Sequence, residues 1–175
     1  MKEADYYFQL GLQNNLKNYP EALADYSKAI ELNPTHLDAY LKRGTLRYKV
    51  LKQYQEALTD FDKAIELNPD CALAYLHRGI VKCHLLKFDI ALPDFDKAVE
   101  LDPNDERVYY NRGKNKYMLK YDEEEVRLDL EKAILFGSTA AADMLKLYYD
   151  SDPDSIRERI TAGMKERKKR WGNRT

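Results

Sequence analysis

A stack of antiparallel helix pairs is the fold that the sequence predicts, in an all-α chain where each pair leans on its neighbours. The first observation is a period. The stretch Tyr19–Pro34, YPEALADYSKAIELNP, returns as YQEALTDFDKAIELNP at Tyr54–Pro69 and as FDIALPDFDKAVELDP at Phe88–Pro103. The prolines Pro34, Pro69 and Pro103 stand 35 and 34 residues apart, and a worn fourth copy runs from Tyr121 to Phe136. The second observation keeps the same period: an aromatic followed four residues later by glycine stands ahead of each copy, and a small–large–small apolar stripe runs inside it. A unit of this length cannot bury its apolar face alone and draws its core from adjacent units. Such an array offers an extended surface, so binding is the expected role and catalysis is not.

The first helix of each pair carries the aromatic–glycine signature: Tyr7 and Gly11, Tyr40 and Gly44, Tyr75 and Gly79, Tyr109 and Gly113. Glycine costs a helix ~1 kcal/mol relative to alanine. Its return at one place predicts that two helix backbones come close there. The second helix carries Ala22, Ala57, Ala91 and Val126, then Tyr26, Phe61, Phe95 and Leu130, then Ala29, Ala64, Ala98 and Ala133. Spacings of four and three put these on one helical stripe. Asn-Pro or Asp-Pro ends the first three second helices, because proline cannot continue a helix. Phe136-Gly137-Ser138 takes that place in the fourth, with Gly137 as a left-handed cap. The spacing from the glycine to the first small residue is 11, 13, 12 and 13, which predicts small shifts of helix phase. Ala140–Asp150 follows as a capping helix with Met144, Leu145, Leu147 and Tyr148 on its apolar side. Ser151-Asp152-Pro153 then reads as a helix start, leading to Ile156, Ile160 and Met164 at four-residue spacing.

These residues resemble the tetratricopeptide repeat family. The resemblance covers residues 4–138 as four repeats, about 4–34, 37–69, 72–103 and 106–138, within an array spanning 1–150 with its capping helix. Residues 151–175 are expected to form a C-terminal helix with a basic tail. Val126, Leu130 and Ser138 depart from the pattern in the fourth repeat, and Arg43, Arg78 and Arg112 replace the usual apolar residue before the glycine. The resemblance implies a right-handed superhelix and a non-enzymatic scaffold or adaptor that holds a peptide of another protein in its concave groove.

Carried over by register, the implied groove residues are Phe8 and Leu12 from repeat one, and Leu41, Thr45 and Tyr48 from repeat two. Repeat three gives Leu73, Leu76 and Ile80, and repeat four gives Arg107, Tyr110, Lys114 and Tyr117. The family's chaperone adaptors grip a C-terminal carboxylate with Lys, Asn and Arg at set groove positions. Phe8, Leu12, Lys42, Leu73 and His77 stand there instead, so apolar side-chain recognition is expected.

The composition agrees with a helical binding protein. Of 175 residues, 34% are charged and 44% apolar, enough for a sizeable core. The net charge of −1 favours neither nucleic acid nor anionic membrane. It hides an asymmetry, because residues 157–175 carry a net +6 and the residues before them −7. Lys165, Arg167, Lys168, Lys169 and Arg170 are the heart of that tail, with Trp171 beside them. The alternative reading gives this tail a nucleic-acid or membrane-surface role, and self-association through the terminal helices is a third. Cys71 and Cys83 form neither a zinc spacing nor a disulfide framework. The N-terminus lacks the apolar run of a signal peptide, and no stretch approaches the ~18 apolar residues of a membrane span. A cytoplasmic location is therefore expected. His36, His77 and His84 read as ordinary turn and helix-surface residues rather than a metal set. No catalytic constellation, cofactor or small-molecule substrate is expected.

Overall fold

The structure, a computed structural model, describes residues 2–149. These form helices and connections with no strand among them. The chain divides into two units at Leu101 and Asp102. The first holds α1 (Glu3–Asn14), α2 (Tyr19–Leu32), α3 (Leu37–Leu46), α4 (Tyr54–Leu67), α5 (Ala72–His84) and α6 (Phe88–Leu101). The second holds α7 (Glu106–Met118), α8 (Glu123–Leu135) and α9 (Thr139–Tyr149). In the first unit α1 packs on α2, α2 on α3, α3 on α4, α4 on α5 and α5 on α6; in the second, α7 and α9 both pack on α8.

The glycines do what their recurrence predicts. A Cβ placed on Gly11 would stand 2.7 Å from the Tyr26 ring, and one on Gly79 would stand 2.8 Å from Phe95. At Gly44 and Gly113 the corresponding distances to Phe61 and Leu130 are 3.0 and 3.1 Å. Each first helix thus rests directly on the large residue of its own second helix. Tyr26, Phe61, Phe95 and Leu130 are fully buried, and so are the alanines of the stripe.

The arginines before the glycines also have a structural role. Arg43 grips Asp60 with two nitrogens, its Nη2 donating at 2.7 Å, and Arg47 reaches the same carboxylate at 2.7 Å. Arg78 and Lys82 meet on Asp94 at 2.6 and 2.7 Å, and Arg112 and Lys116 on Asp129 at 2.6 and 3.1 Å. The three aspartates are 1–3% exposed. A buried carboxylate persists when it is paired and hydrogen-bonded, and here each has two cations. Burial opposes the charge on Arg78, yet its hydrogen bonds to Asp94 and Asp62 outweigh this, and its pKa is raised. Repeat one has Leu10 where the others have arginine, and Asn14 donates to Asp25 at 2.8 Å instead.

The uneven repeat spacing is absorbed locally. The extra residue of repeat two forms a π-helical turn at Arg47–Leu51, closed by Gln53 N–H donating to the Arg47 carbonyl at 2.9 Å. In repeat four it lengthens the connection, which is Leu119–Asp122 against Leu85–Lys87 in repeat three. Asn33 and Asn68 follow the ends of α2 and α4, as their prolines dictate. Gly137, at φ 109°, ends α8: its N–H donates to Ile134 and that of Ser138 to Ala133, both at 2.9 Å. Those two bonds define a Schellman cap.

Three outcomes follow from this packing, each read by urea unfolding. Gly79→Ala forces the Phe95 ring aside in a closed core and lowers stability by about 1–3 kcal/mol. Tyr26→Phe raises stability by about 1 kcal/mol, because the Tyr26 hydroxyl is buried without a hydrogen-bond partner among the described residues. Asp94→Ala leaves Arg78 and Lys82 facing each other and costs about 3 kcal/mol.

Candidate functional site

The first helices of the first unit place the groove residues unevenly. Phe8, Leu41, Tyr48 and Leu76 are buried at 9, 7, 4 and 1% exposure, which corrects their expected place on an open groove. Phe8, Leu41 and Tyr48 fill the space between successive helices. Phe8 clusters with Tyr26 of α2 and with Ala39 and Leu46 of α3; Leu41 and Tyr48 cluster with Phe61 of α4 and with Ala74 and Val81 of α5. In a stack, that position belongs to the joint between units. Leu12, Leu73 and Ile80 are half-buried beside these clusters, and Thr45 turns its hydroxyl back to the Leu41 carbonyl at 2.7 Å.

His77 is likewise buried and not a helix-surface residue. Its Nδ1 lies 3.0 Å from the Tyr48 hydroxyl, and its ring stacks on Phe61 at 5.5 Å. His84 is exposed and stacks on Tyr54 at 5.1 Å, while His36 precedes α3 with its Nε2 3.7 Å from Asp5. Cys71 and Cys83 are half-buried and form no disulfide. Among the described residues no group of three or more His, Cys, Asp or Glu is placed to hold a metal ion. No helix among them is long and apolar enough to cross a membrane. The basic tail lies outside the described residues.

The second unit brings groove residues together. Tyr110, Lys114 and Tyr117 project from α7 at spacings of four and three, on one helix face. Asp143, Met144, Leu147 and Tyr148 project from α9 into the same space, and with Met118 and Ala140 they line an open depression of about 370 Å³. α9 presents this face because Ala141, Met144 and Leu145 are buried, which turns Leu147 and Tyr148 outward at 73 and 51% exposure. The Tyr117 and Tyr148 rings lie 4.8 Å apart and close one end. Tyr117 and Met118 also border a neighbouring hollow of about 420 Å³, lined further by Lys120, Tyr121, Glu123 and Tyr149. Burial, then the Glu123 charge, raises the pKa of the Tyr149 phenol.

The wall is mainly aromatic and aliphatic, with one cation, Lys114, and one anion, Asp143. Neither makes an ion pair within the described residues. Arg107 sits apart from this depression: its guanidinium is held by Asp105 at 2.6 Å, which raises its pKa. The α9 residues extend the site beyond the groove positions carried over by register. Their signal was the run of apolar side chains in Ala140–Asp150, legible as a capping helix but not as a wall of a site.

A chain of stacked helix pairs with an open, largely apolar depression at α7 and α9 is a helical-repeat protein. Residues 7–50 match a family profile described as TPR repeat, and residues 38–70 match one described as tetratricopeptide repeat. Residues 7–70 thus match tetratricopeptide repeat profiles, and the similar solved structures share the fold of the chain. Among solved structures it is similar to MamA 41-end from Desulfovibrio magneticus RS-1, with a TM-score of 0.74 and 22% identity over 94% of this chain and 95% of that one. It is similar to the first TPR of Spaghetti (RPAP3) bound to the HSP90 peptide SRMEEVD, with a TM-score of 0.65 and 25% identity over 68% and 94%. It is also similar to the Arabidopsis OM64 TPR domain, with a TM-score of 0.62 and 24% identity over 65% and 94%. No curated protein sequence matches the chain significantly.

Proposed function

We propose that this protein is a non-enzymatic adaptor that binds a peptide segment of another protein in the depression between α7 and α9. The observation that carries the reading is the convergence of Tyr110, Lys114 and Tyr117 with Leu147 and Tyr148 around one open, largely apolar space. Aromatic side chains give large contact area at low entropic cost. An apolar or aromatic ligand side chain fits among them, with Lys114 drawing an acidic neighbour. The RPAP3 domain, of similar fold, is bound to a peptide that ends in aspartate. Here the side chains at the register of a carboxylate grip are Phe8 and His77, both buried, Leu12 and Leu73, both apolar, and Lys42, which stands in the place of an asparagine. Recognition by apolar side chains therefore fits this chain better than recognition of a chain end. An affinity of about micromolar, ~−8 kcal/mol, suits a mostly preformed site that orders a flexible ligand.

Peptide phage display on the full chain tests the reading. The selected peptides should share an aromatic or large aliphatic residue beside an acidic one. Tyr117→Ala with Leu147→Asp should weaken them at least tenfold while far-ultraviolet circular dichroism is unchanged. Unaltered binding to that variant would remove the depression as the site.

A further inference from the structure

We infer that the hollow bordered by Tyr117, Tyr121, Tyr149 and Glu123 receives a methylated ammonium group, carried on a lysine side chain of the partner protein. The inference rests on the proposed function only in placing that lysine on a peptide seated in the adjoining depression.

The origin of the hollow is the first argument. The second helices of the first unit open on a ring three residues ahead of the first small residue: Tyr19 before Ala22, Tyr54 before Ala57 and Phe88 before Ala91. In repeat two that ring is packed away, with Tyr54 stacked on His84 at the end of α5. In the second unit Glu123 holds the same place, three residues ahead of Val126, and Tyr149 ends the next helix. A carboxylate and a phenol thus stand where repeat two has stacked rings. Burial, then the charge of Glu123, raises the Tyr149 pKa, so the two groups lie within electrostatic reach. A carboxylate does not fill the space of a ring, and both residues line a hollow of about 420 Å³.

The position of Tyr121 is the second. The connection before α8 is longer than its counterpart in repeat three, and its aromatic stands two residues ahead of Glu123. Lys120 takes a left-handed conformation at φ 58°; its N–H donates to the Tyr117 carbonyl at 3.1 Å, and that of Tyr121 to the Lys116 carbonyl at 3.0 Å. This is a Schellman cap like that at Gly137. It fixes the Tyr121 backbone against the last turn of α7, whose Tyr117 borders the same hollow.

Electrostatics is the third. An aromatic face attracts a cation, and several rings around one space recognise quaternary ammonium groups. Lys120 and Glu123 border the hollow with opposite charges, so no net charge draws in an anion or a strongly hydrated ammonium. A methylated ammonium is bulky and weakly hydrated, and ring contact suffices to hold it. Glu123 meets Arg127 through one oxygen at 3.4 Å and is 60% exposed, which leaves its carboxylate open to the charge of a guest. Tyr117 and Met118 border both the hollow and the depression. A peptide in the depression therefore brings a side chain to the edge of the hollow, where the apolar stem of lysine passes over the exposed Met118.

Proton NMR titration of the full chain tests this with four probes. They are the N-acetyl amides of trimethyllysine and of lysine, the analogue of the first with a neutral tert-butyl group in place of trimethylammonium, and choline. The trimethyllysine probe should shift tyrosine ring signals with a Kd of about millimolar. It should bind about fivefold tighter, or more, than the neutral analogue and the lysine probe. Tyr121→Leu and Glu123→Gln should each weaken it by about threefold or more, and Lys120→Ala should tighten it, with far-ultraviolet circular dichroism unchanged in all three. Equal affinity for the charged and neutral probes would overturn the proposal, as would binding that Tyr121→Leu leaves intact or no binding at all. Choline that binds as tightly as the trimethyllysine probe would overturn the lysine side chain as the source. A chain that takes no ammonium probe, yet loses its phage-selected peptides through Tyr117→Ala with Leu147→Asp, would overturn the ammonium site and leave the adaptor standing. Ammonium binding in a chain whose peptides ignore that double variant would support the hollow and remove the depression.

Discussion

The close approach of each first helix to the large side chain of its partner is the constraint on which the rest of the structure depends. At Gly11, Gly44, Gly79 and Gly113 there is no room for a Cβ without displacing a ring or a leucine. That contact brings the residue before the ring close as well: the Asp25, Asp60 and Asp129 Cβ atoms would lie 3.1–3.3 Å from such a Cβ. Asp60, Asp94 and Asp129 in that place are sealed from water by the helix above them. Their charges must then be met from the same helix, and Arg43, Arg78 and Arg112 do so from the position next to glycine. Packing geometry thus dictates the electrostatics. Arg47, Lys82 and Lys116, one turn further on, complete each site.

The joint between successive units depends on the same geometry. With paired helices drawn close, the opposite face of each first helix is left to contact the next unit. In the first unit Phe8, Leu41 and Tyr48 are used up in such contacts, Leu76 is buried, and His77 is enclosed between Tyr48 and Phe61. Apolar character at those positions therefore serves cohesion. The second unit differs because α7 is more polar, with Lys114, Asn115 and Lys116 in sequence, and because α8 is followed by α9. There Tyr117 stays exposed, and α9 supplies the apolar surface that completes a depression. Recognition and cohesion compete for the same helix faces, and the end of the array is where cohesion leaves some over.

The helix pairs, their prolines, the glycine contacts and the buried stripe were legible in the sequence, because each rests on local sterics and on a period of 3.6 residues. Tyr26, Phe61, Phe95 and Leu130 had only one place to go. Arg43, Arg78 and Arg112 were visible as departures from the repeat pattern, but their partners lie 16 or 17 residues away. Such a pairing depends on how two helices align and not on any local rule. For the same reason burial of Phe8, Leu41, Tyr48, Leu76 and His77 was decided in the folded stack. A register position names a helix face, while its exposure depends on how near the next helix comes. The depression is the clearest case, since Tyr110, Lys114 and Tyr117 were marked by register. Their union with Asp143, Leu147 and Tyr148, about 30 residues on, follows from two helices packing on one side of α8. That arrangement exists only once the chain has folded.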